Sequence, residues 1–263
     1  IVFNIFHIFI DLVLRDPRTQ DYFLMESPWG FLGIIIFYLY FVYELGPNIM
    51  ARRKPFNLDK ILQIYNLIQI VSCSFLFYKV QNVSLFIKKA YEIYIKNLLE
   101  IINNVLMIDK IKIWFYFIIK VFDLLDTVFF VLRKKQQQVS FLHVYHHTGM
   151  IFGTWVCTKF LPGGHVTLLP YAGTINSFVH VVMYTYYLIT SLQLSKPWWK
   201  KYVTQLQLTQ FCIILVHFIS LAWVEDCGFP KWVAAIMIPQ NLFMIVLFGD
   251  FYYKAYVKKS KSS

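Results

Sequence analysis

Three histidines, His143, His146 and His147, stand in the run FLHVYHHTGM, whose other residues are almost all apolar or aromatic. An imidazole is costly to strand in such surroundings, yet it can act as a metal ligand, a nucleophile or a proton carrier at neutral pH. On a helix, His143 lies three residues from His146 and four from His147, so one face can carry all three rings. The spacing admits a metal centre, an acyl-transfer centre or a packing accident. Three rings on one face argue against the last.

Three further groups of polar residues interrupt apolar stretches. KVFDLLDT, residues 120–127, sets Lys120 one helical turn from Asp123, Asp123 one turn from Asp126, and Asp123 four residues from Thr127. It can be a functional carboxylate pair or a self-neutralising ion pair. NSFVHVVMYTYY, residues 176–187, places Asn176 four residues before His180, where an amide can fix an imidazole tautomer, and continues with Tyr184 and Tyr187. TQLQLTQ, residues 204–210, spaces Thr204, Gln207 and Gln210 by one turn. It reads as site lining or as hydrogen bonding between helices.

The elements that must position these groups follow from composition. Of 263 residues, 58% are hydrophobic, 19% aromatic and only 15% charged. A soluble domain of this size needs more polar surface, whereas apolar runs of about 20 residues span a bilayer. Seven such runs are read at roughly 28–45, 60–80, 113–132, 139–158, 166–192, 202–224 and 232–253. The fold class predicted is all-α, a polytopic membrane protein of seven transmembrane helices forming one domain over 1–263. Residues 81–112, with Lys88, Lys89, Glu92, Lys96 and Glu100, predict an amphipathic helix on the luminal surface. Residues 1–15 predict an interfacial helix within a luminal segment 1–27.

The net charge of +11 is distributed as a topology signal. Arg52, Arg53, Lys54 and Lys60 follow the first run, Arg133, Lys134 and Lys135 the third, Lys196, Lys200 and Lys201 the fifth, and Lys254, Lys258, Lys259 and Lys261 the seventh. The positive-inside rule then places the N-terminus in the lumen and the basic tail 254–263 in the cytosol. This pattern speaks against a nucleic-acid partner. From the cytosolic ends, Asp126 is about 10 Å deep, His146 about 12 Å and His180 about 20 Å at helical rise, which predicts a site open to the cytosol.

Metal chemistry and acyl transfer draw on different supplies of ligands. A histidine-box di-iron centre needs about eight nitrogen or oxygen ligands from several boxes. The chain holds seven histidines in all, with one box and outliers at His7, His165 and His217. No CxxC spacing offers zinc, so no metal is expected. An imidazole nucleophile with a neighbouring histidine or carboxylate to orient it suits acyl transfer. A cysteine nucleophile does not, because Cys157 lies about 15 Å along the helix from His147.

With these motifs assembled, the chain resembles the ELO family of very-long-chain fatty acid elongases. The family pattern K-x-x-E-x-x-D-T corresponds to KVFDLLDT, H-x-x-H-H to HVYHH, N-x-x-x-H-x-x-M-Y-x-Y-Y to NSFVHVVMYTYY, and T-x-x-Q-x-x-Q to TQLQLTQ. LGPNIMARRKPF and KPWWKKYVTQLQLTQF are also similar to family sequence. Two departures stand out. Asp123 replaces the family's Glu, and 81–112 lacks the Cys-x-Pro-Val-Asp type of sequence, leaving Cys227 with no obvious disulfide partner.

The resemblance implies six of seven helices around a tunnel closed at its luminal end, in the endoplasmic reticulum membrane. It implies decarboxylative condensation of long-chain acyl-CoA with malonyl-CoA to 3-ketoacyl-CoA, CO2 and CoA, with no cofactor. His146 would take the acyl chain and His180 would assist decarboxylation or stabilise the enolate. His143, His147, Asp123 and Asp126 would orient and tune them; Asn176, Tyr184, Tyr187, Gln207 and Gln210 would line the site, and Lys120 would contact CoA phosphates. The reductases and dehydratase of the elongation cycle are implied partners, and a homo-oligomer is open. The alternatives are a metal-dependent lipid desaturase or hydroxylase, a transporter, and a catalytically impaired family member. KSKSS at the C-terminus fits a K-x-K-x-x retrieval signal as well as a basic tail.

Overall fold

The computed structural model describes residues 21–93, 113–160, 168–194, 197–223 and 231–258. The expectations placed on 1–15, His7, 94–112, His165, Lys196, Cys227 and the KSKSS tail lie outside the described residues. The helices are α1 (Pro28–Ala51), α2 (Asp59–Ile93), α3 (113–122), α4 (Leu124–Leu132), α5 (Phe141–Phe160), α6 (Leu168–Ser191), α7 (Lys200–Trp223) and α8 (Lys231–Lys258). The fold is all-helical, with no strand among the described residues.

Four helices, α1, α7, α8 and the Asp59–Tyr78 part of α2, are long and apolar enough to cross a membrane. Their outward faces are oily. Trp29, Ile36 and Phe37 on α1, Val216 and Trp223 on α7, and Ile236 and Val246 on α8 are all exposed. A chain that turns such residues outward from several long helices is a multi-pass membrane protein. Helices α3 to α6 occupy the other expected runs and carry the polar motifs. The structure departs from expectation after residue 80. Instead of breaking there, α2 runs on to Ile93, and no Gly or Pro between Asp59 and Ile93 stops it.

The chain packs as two compact units. The first comprises 1–57 and 83–170, the second 58–82 and 171–263.

In the first unit, α1 starts where Ser27 leaves the helix in extended conformation and Pro28 takes the first turn, where a missing N–H is harmless. Pro47 then threatens the helix from inside, since it lacks an N–H and its ring crowds the preceding turn. The backbone answers with a widened turn over Phe41–Leu45, in which the Gly46 N–H donates five residues back to the Phe41 carbonyl. α3 and α4 form one rod with a tightened turn at Asp123, whose carbonyl accepts from Asp126 N–H at 3.2 Å. The core joins Phe31, Tyr38 and Val42 of α1 to Phe117, Leu124, Val144, Ile151 and Trp155. Trp155 stacks on Phe31 at 4.2 Å between ring centres.

The turn before α1 is tied to the same helices by three side-chain donors. Trp114 Nε1 donates to the Phe23 carbonyl at 3.1 Å, Trp155 Nε1 to Leu24 at 2.9 Å, and Lys159 Nζ to Met25 at 2.8 Å. Three consecutive carbonyls thus find partners, and Leu24 is held at a left-handed φ of 66°. In the second unit, α7 and α8 pair through Phe211 on Phe248 and through Gln205 Nε2, which donates to the Tyr252 hydroxyl at 2.8 Å.

Gly46 is where α1 approaches α4 most tightly. A Cβ there would stand 2.6 Å from Val131 Cγ1 and 2.7 Å from the Phe41 carbonyl oxygen, and the second of these is backbone that cannot swing away. Gly46→Ala is therefore expected to cost about 1–3 kcal/mol by overpacking. The measurement is the thermal midpoint of the detergent-purified protein. Val131→Ala in the same chain should restore only part of the loss, and an unchanged midpoint for Gly46→Ala would refute the close approach.

Candidate active site

The first unit carries the three-histidine row. α5 begins at Phe141 because Ser140 caps it, its Oγ accepting from the His143 backbone N–H at 3.3 Å. That cap fixes where the helical period starts, and so which residues share a face. His143 and His147 pack with tilted rings at 4.3 Å between centres, and His146 meets His147 edge-on at 5.5 Å. The three imidazoles expected to share a face are contiguous. His147 is buried; His143 and His146 are partly buried.

Two other helices hold this row. Thr127 of α4 lies 2.9 Å from His143 Nε2 through its Oγ1, and the same oxygen lies 2.7 Å from the Tyr38 hydroxyl of α1. Thr127 is fully buried and Tyr38 nearly so. Phe130 flanks the His143 ring at 5.3 Å. A chain Tyr38–Thr127–His143 therefore links α1, α4 and α5 through hydrogen bonds, and His143 passes on to His147 and His146 through ring contact.

One turn away, Lys120 Nζ donates to Asp123 Oδ2 at 2.9 Å, with both side chains at 2% exposure or less. The ammonium also lies 5.0 Å from the Tyr116 ring centre. The expected i,i+3 pair is formed. Lys120, expected as a contact for CoA phosphates, is thus enclosed against its own carboxylate. Asp126 is partly buried one turn beyond.

The second unit carries the other two motifs. On α6, Asn176, Ser177, His180 and Tyr184 are all buried. The Tyr184 ring packs against His180 at 5.6 Å and against Tyr187 at 6.0 Å, continuing the expected face. Tyr184 OH lies 3.3 Å from Tyr65 OH of α2, which accepts from Gln69 Nε2 at 3.0 Å. On α7, Thr204 and Gln210 are buried, while Gln207 Nε2 donates to Met183 Sδ at 3.4 Å. Of the residues expected here, Asn176, His180, Tyr184 and Gln210 are buried, whereas Tyr187 is exposed.

Sequence reasoning missed Tyr38, Tyr65 and Gln69. Each sits in an apolar run where one more Tyr or Gln reads as packing, and its partner is far along the chain. Thr127 was in view as part of KVFDLLDT, but its contact with His143 is a tertiary fact. Among the described residues, no group of three His, Cys, Asp or Glu side chains is placed to hold a metal ion.

An all-helical multi-pass membrane protein that keeps histidines, carboxylates and amides in buried clusters is built for chemistry within the bilayer. The family model described as GNS1/SUR4, the ELO family, matches residues 23–263, and the chain belongs to that family. It is 40% identical over 245 residues to a very long chain fatty acid elongase of Aedes aegypti, covering 92% of this chain and 67% of the relative. It is 37% identical to very long chain fatty acid elongase 7 of Drosophila melanogaster, covering 93% and 74% respectively. With human very long chain fatty acid elongase 4 the identity is 39%, covering 94% and 78%.

The Lys120–Asp123 pair makes a two-part prediction about stability. Asp123→Ala leaves a buried ammonium without its carboxylate and is expected to cost about 3–5 kcal/mol. Replacing both partners together, Lys120→Met with Asp123→Leu, should return the thermal midpoint to near that of the wild type. A single variant as stable as the parent would show that the pair is not enclosed.

Proposed function

We propose that the protein is a fatty acid elongase catalysing decarboxylative condensation of a long-chain acyl-CoA with malonyl-CoA. The observation that carries this reading is the contiguous row of imidazoles on α5, in a chain that belongs to a family whose named relatives are elongases. In the first step an imidazole nitrogen of His146 attacks the acyl carbonyl. The carbon–sulfur bond breaks, CoA leaves as its thiol, and the acyl group stays on nitrogen.

Malonyl-CoA then loses CO2, and the electron pair of the broken carbon–carbon bond becomes an enolate. The enolate carbon attacks the acyl carbonyl and the carbon–nitrogen bond breaks. The departing imidazole nitrogen takes a proton from solvent, replacing the one that left with the CoA thiol, so that His146 is returned with 3-ketoacyl-CoA released. Decarboxylation supplies the carbon nucleophile, so this reading asks for no cofactor. His180, buried beside Tyr184, would support the enolate oxygen by donating a hydrogen bond. His143, His147, Asp123 and Asp126 would orient the row. Asn176, Tyr184, Tyr187, Gln207 and Gln210 would line the path of the substrates. Lys120 serves here as the counter-charge of Asp123, which leaves CoA phosphates to exposed basic residues such as Arg52, Arg53 and Lys54.

The wider reading is one membrane-embedded domain of seven transmembrane helices, six around an acyl tunnel. It sits in the endoplasmic reticulum membrane with the N-terminus luminal and the C-terminus cytosolic, working beside the reductases and dehydratase of the cycle. What supports it is the match of family sequence over 23–263 and the basic residues after alternate apolar runs.

The test is CO2 release from malonyl-CoA by the purified full chain, with and without a long-chain acyl-CoA. Acyl-dependent release with formation of 3-ketoacyl-CoA is expected. His146→Ala should lower it by at least about a hundredfold while leaving a folded, membrane-inserted protein. Near wild-type turnover by His146→Ala would end the covalent role. No release from folded protein would favour an impaired member or a transporter, and stoichiometric iron would favour the desaturase reading.

A further inference from the structure

We propose that Thr127, backed by the Tyr38 hydroxyl, is a positioning residue that holds His143 as its Nδ1–H tautomer, with Nε2 committed as a hydrogen-bond acceptor. The argument turns on counting hydroxyl hydrogens. Thr127 Oγ1 carries one hydrogen and has two neighbours in reach, the Tyr38 hydroxyl at 2.7 Å and His143 Nε2 at 2.9 Å. Only one of the two can receive it.

If Thr127 donates to His143 Nε2, it accepts from Tyr38 on its other side. Every hydroxyl hydrogen then has an acceptor, and the one proton without a protein partner among the described residues sits on Nδ1 of a ring that is only partly buried. In the opposite polarity, His143 Nε2–H donates to Thr127 and Thr127 donates to Tyr38. The Tyr38 hydrogen is then left without an acceptor among the described residues, in a side chain only 4% exposed. Orphaning a buried donor disfavours that arrangement by roughly tenfold to a hundredfold in population. An imidazolium at His143 meets the same objection, because its Nε2 would also have to donate.

The ring has little freedom to escape this arrangement. Its backbone N–H is held by the Ser140 cap, Phe130 stands at 5.3 Å and His147 at 4.3 Å from its centre. In an Nδ1–H imidazole the Nε2 lone pair is the nucleophilic one, and here it is occupied. His143 is thereby removed from acyl transfer and becomes the member of the row that orients its neighbours. This last consequence rests on the histidine-centred reaction proposed above, whereas the tautomer rests on the hydrogen bonds alone.

The experiment is nitrogen NMR of the full chain, labelled with 15N-histidine and held in lipid nanodiscs. The His143 resonances are assigned by their disappearance in His143→Gln. In the wild type, His143 is expected to show an unprotonated Nε2 and a protonated Nδ1. Tyr38→Phe leaves His143 Nε2 as the one acceptor in reach of the Thr127 hydrogen, so the Nδ1–H pattern should persist there. Thr127→Val should abolish the preference, and Thr127→Ser, which keeps the hydroxyl, should preserve it. The His217 signals serve as a fold control throughout.

A protonated Nε2 in the wild type would overturn the proposal, as would a Thr127→Val spectrum identical to the parent. The expected spectra from a chain that performs no condensation would sustain the tautomer and sink the functional reading. The reverse combination would do the opposite.

Discussion

A polar side chain within a bilayer-spanning segment has no water to fall back on, so its hydrogen-bonding capacity must be met by other protein groups or go unmet at a cost of several kcal/mol. In the first unit of this protein, buried polar groups meet one another. Thr127 stands at the junction of α1, α4 and α5, and its single hydroxyl answers a phenol on one side and an imidazole on the other. Lys120 and Asp123 neutralise each other in the same rod. The apolar side chains around them, Phe117, Leu124 and Val144 among them, fix the spacing at which those contacts close. Nonpolar packing alone gives little preference for one helix rotation in lipid, where the tails are as apolar as leucine. The hydrogen bonds supply that preference.

The backbone shows the same requirement in a different form. Pro47 has no N–H to give, and just before it the widened turn at Phe41–Leu45 has the Gly46 N–H donating to the Phe41 carbonyl. The chain before α1 has no helix to satisfy it, and three side-chain donors from α3 and α5 take the carbonyls of Phe23, Leu24 and Met25. These devices lie on both sides of Tyr38 in α1. Together they set how far α1 slides along α4 and α5, and therefore whether the Tyr38 hydroxyl arrives at Thr127.

What was legible in the sequence was what repeats along one helix. The row His143, His146, His147 and the Lys120–Asp123 pair are contacts three and four residues apart, and periodicity alone predicts them. The apolar runs also announce the helices, since a span must be apolar for about 20 residues whatever it packs against. Tyr38 on Thr127 and Tyr65 on Tyr184 were not legible, because they join residues 89 and 119 positions apart. Nothing local distinguishes Tyr38 from Tyr40 or Tyr43, both of which are exposed on the same helix. The continuation of α2 to Ile93 was missed for a related reason. The rise in charge after residue 80 reads as a boundary, but charge changes what a helix faces without ending it, and no Gly or Pro is present to do so.

Asp123 shows how a one-carbon departure from the family pattern acts through this network. The carboxylate of an aspartate stays close to its own backbone, and here it is satisfied within the rod by Lys120 one turn earlier. The turn at Asp123 is tightened so that Asp126 N–H reaches the Asp123 carbonyl, which brings the two acidic residues of the motif onto neighbouring positions of a shortened turn. A carboxylate on this shorter arm is spoken for by lysine, while Thr127, four residues on, keeps its hydroxyl for Tyr38 and His143. Two supports thus stand side by side: the Lys120–Asp123 pair balances charge within the rod, and the Tyr38–Thr127 hydroxyls reach the imidazole of His143. In a medium where an unbalanced charge is the costliest defect available, that division lets the row be oriented by groups that never need to ionise.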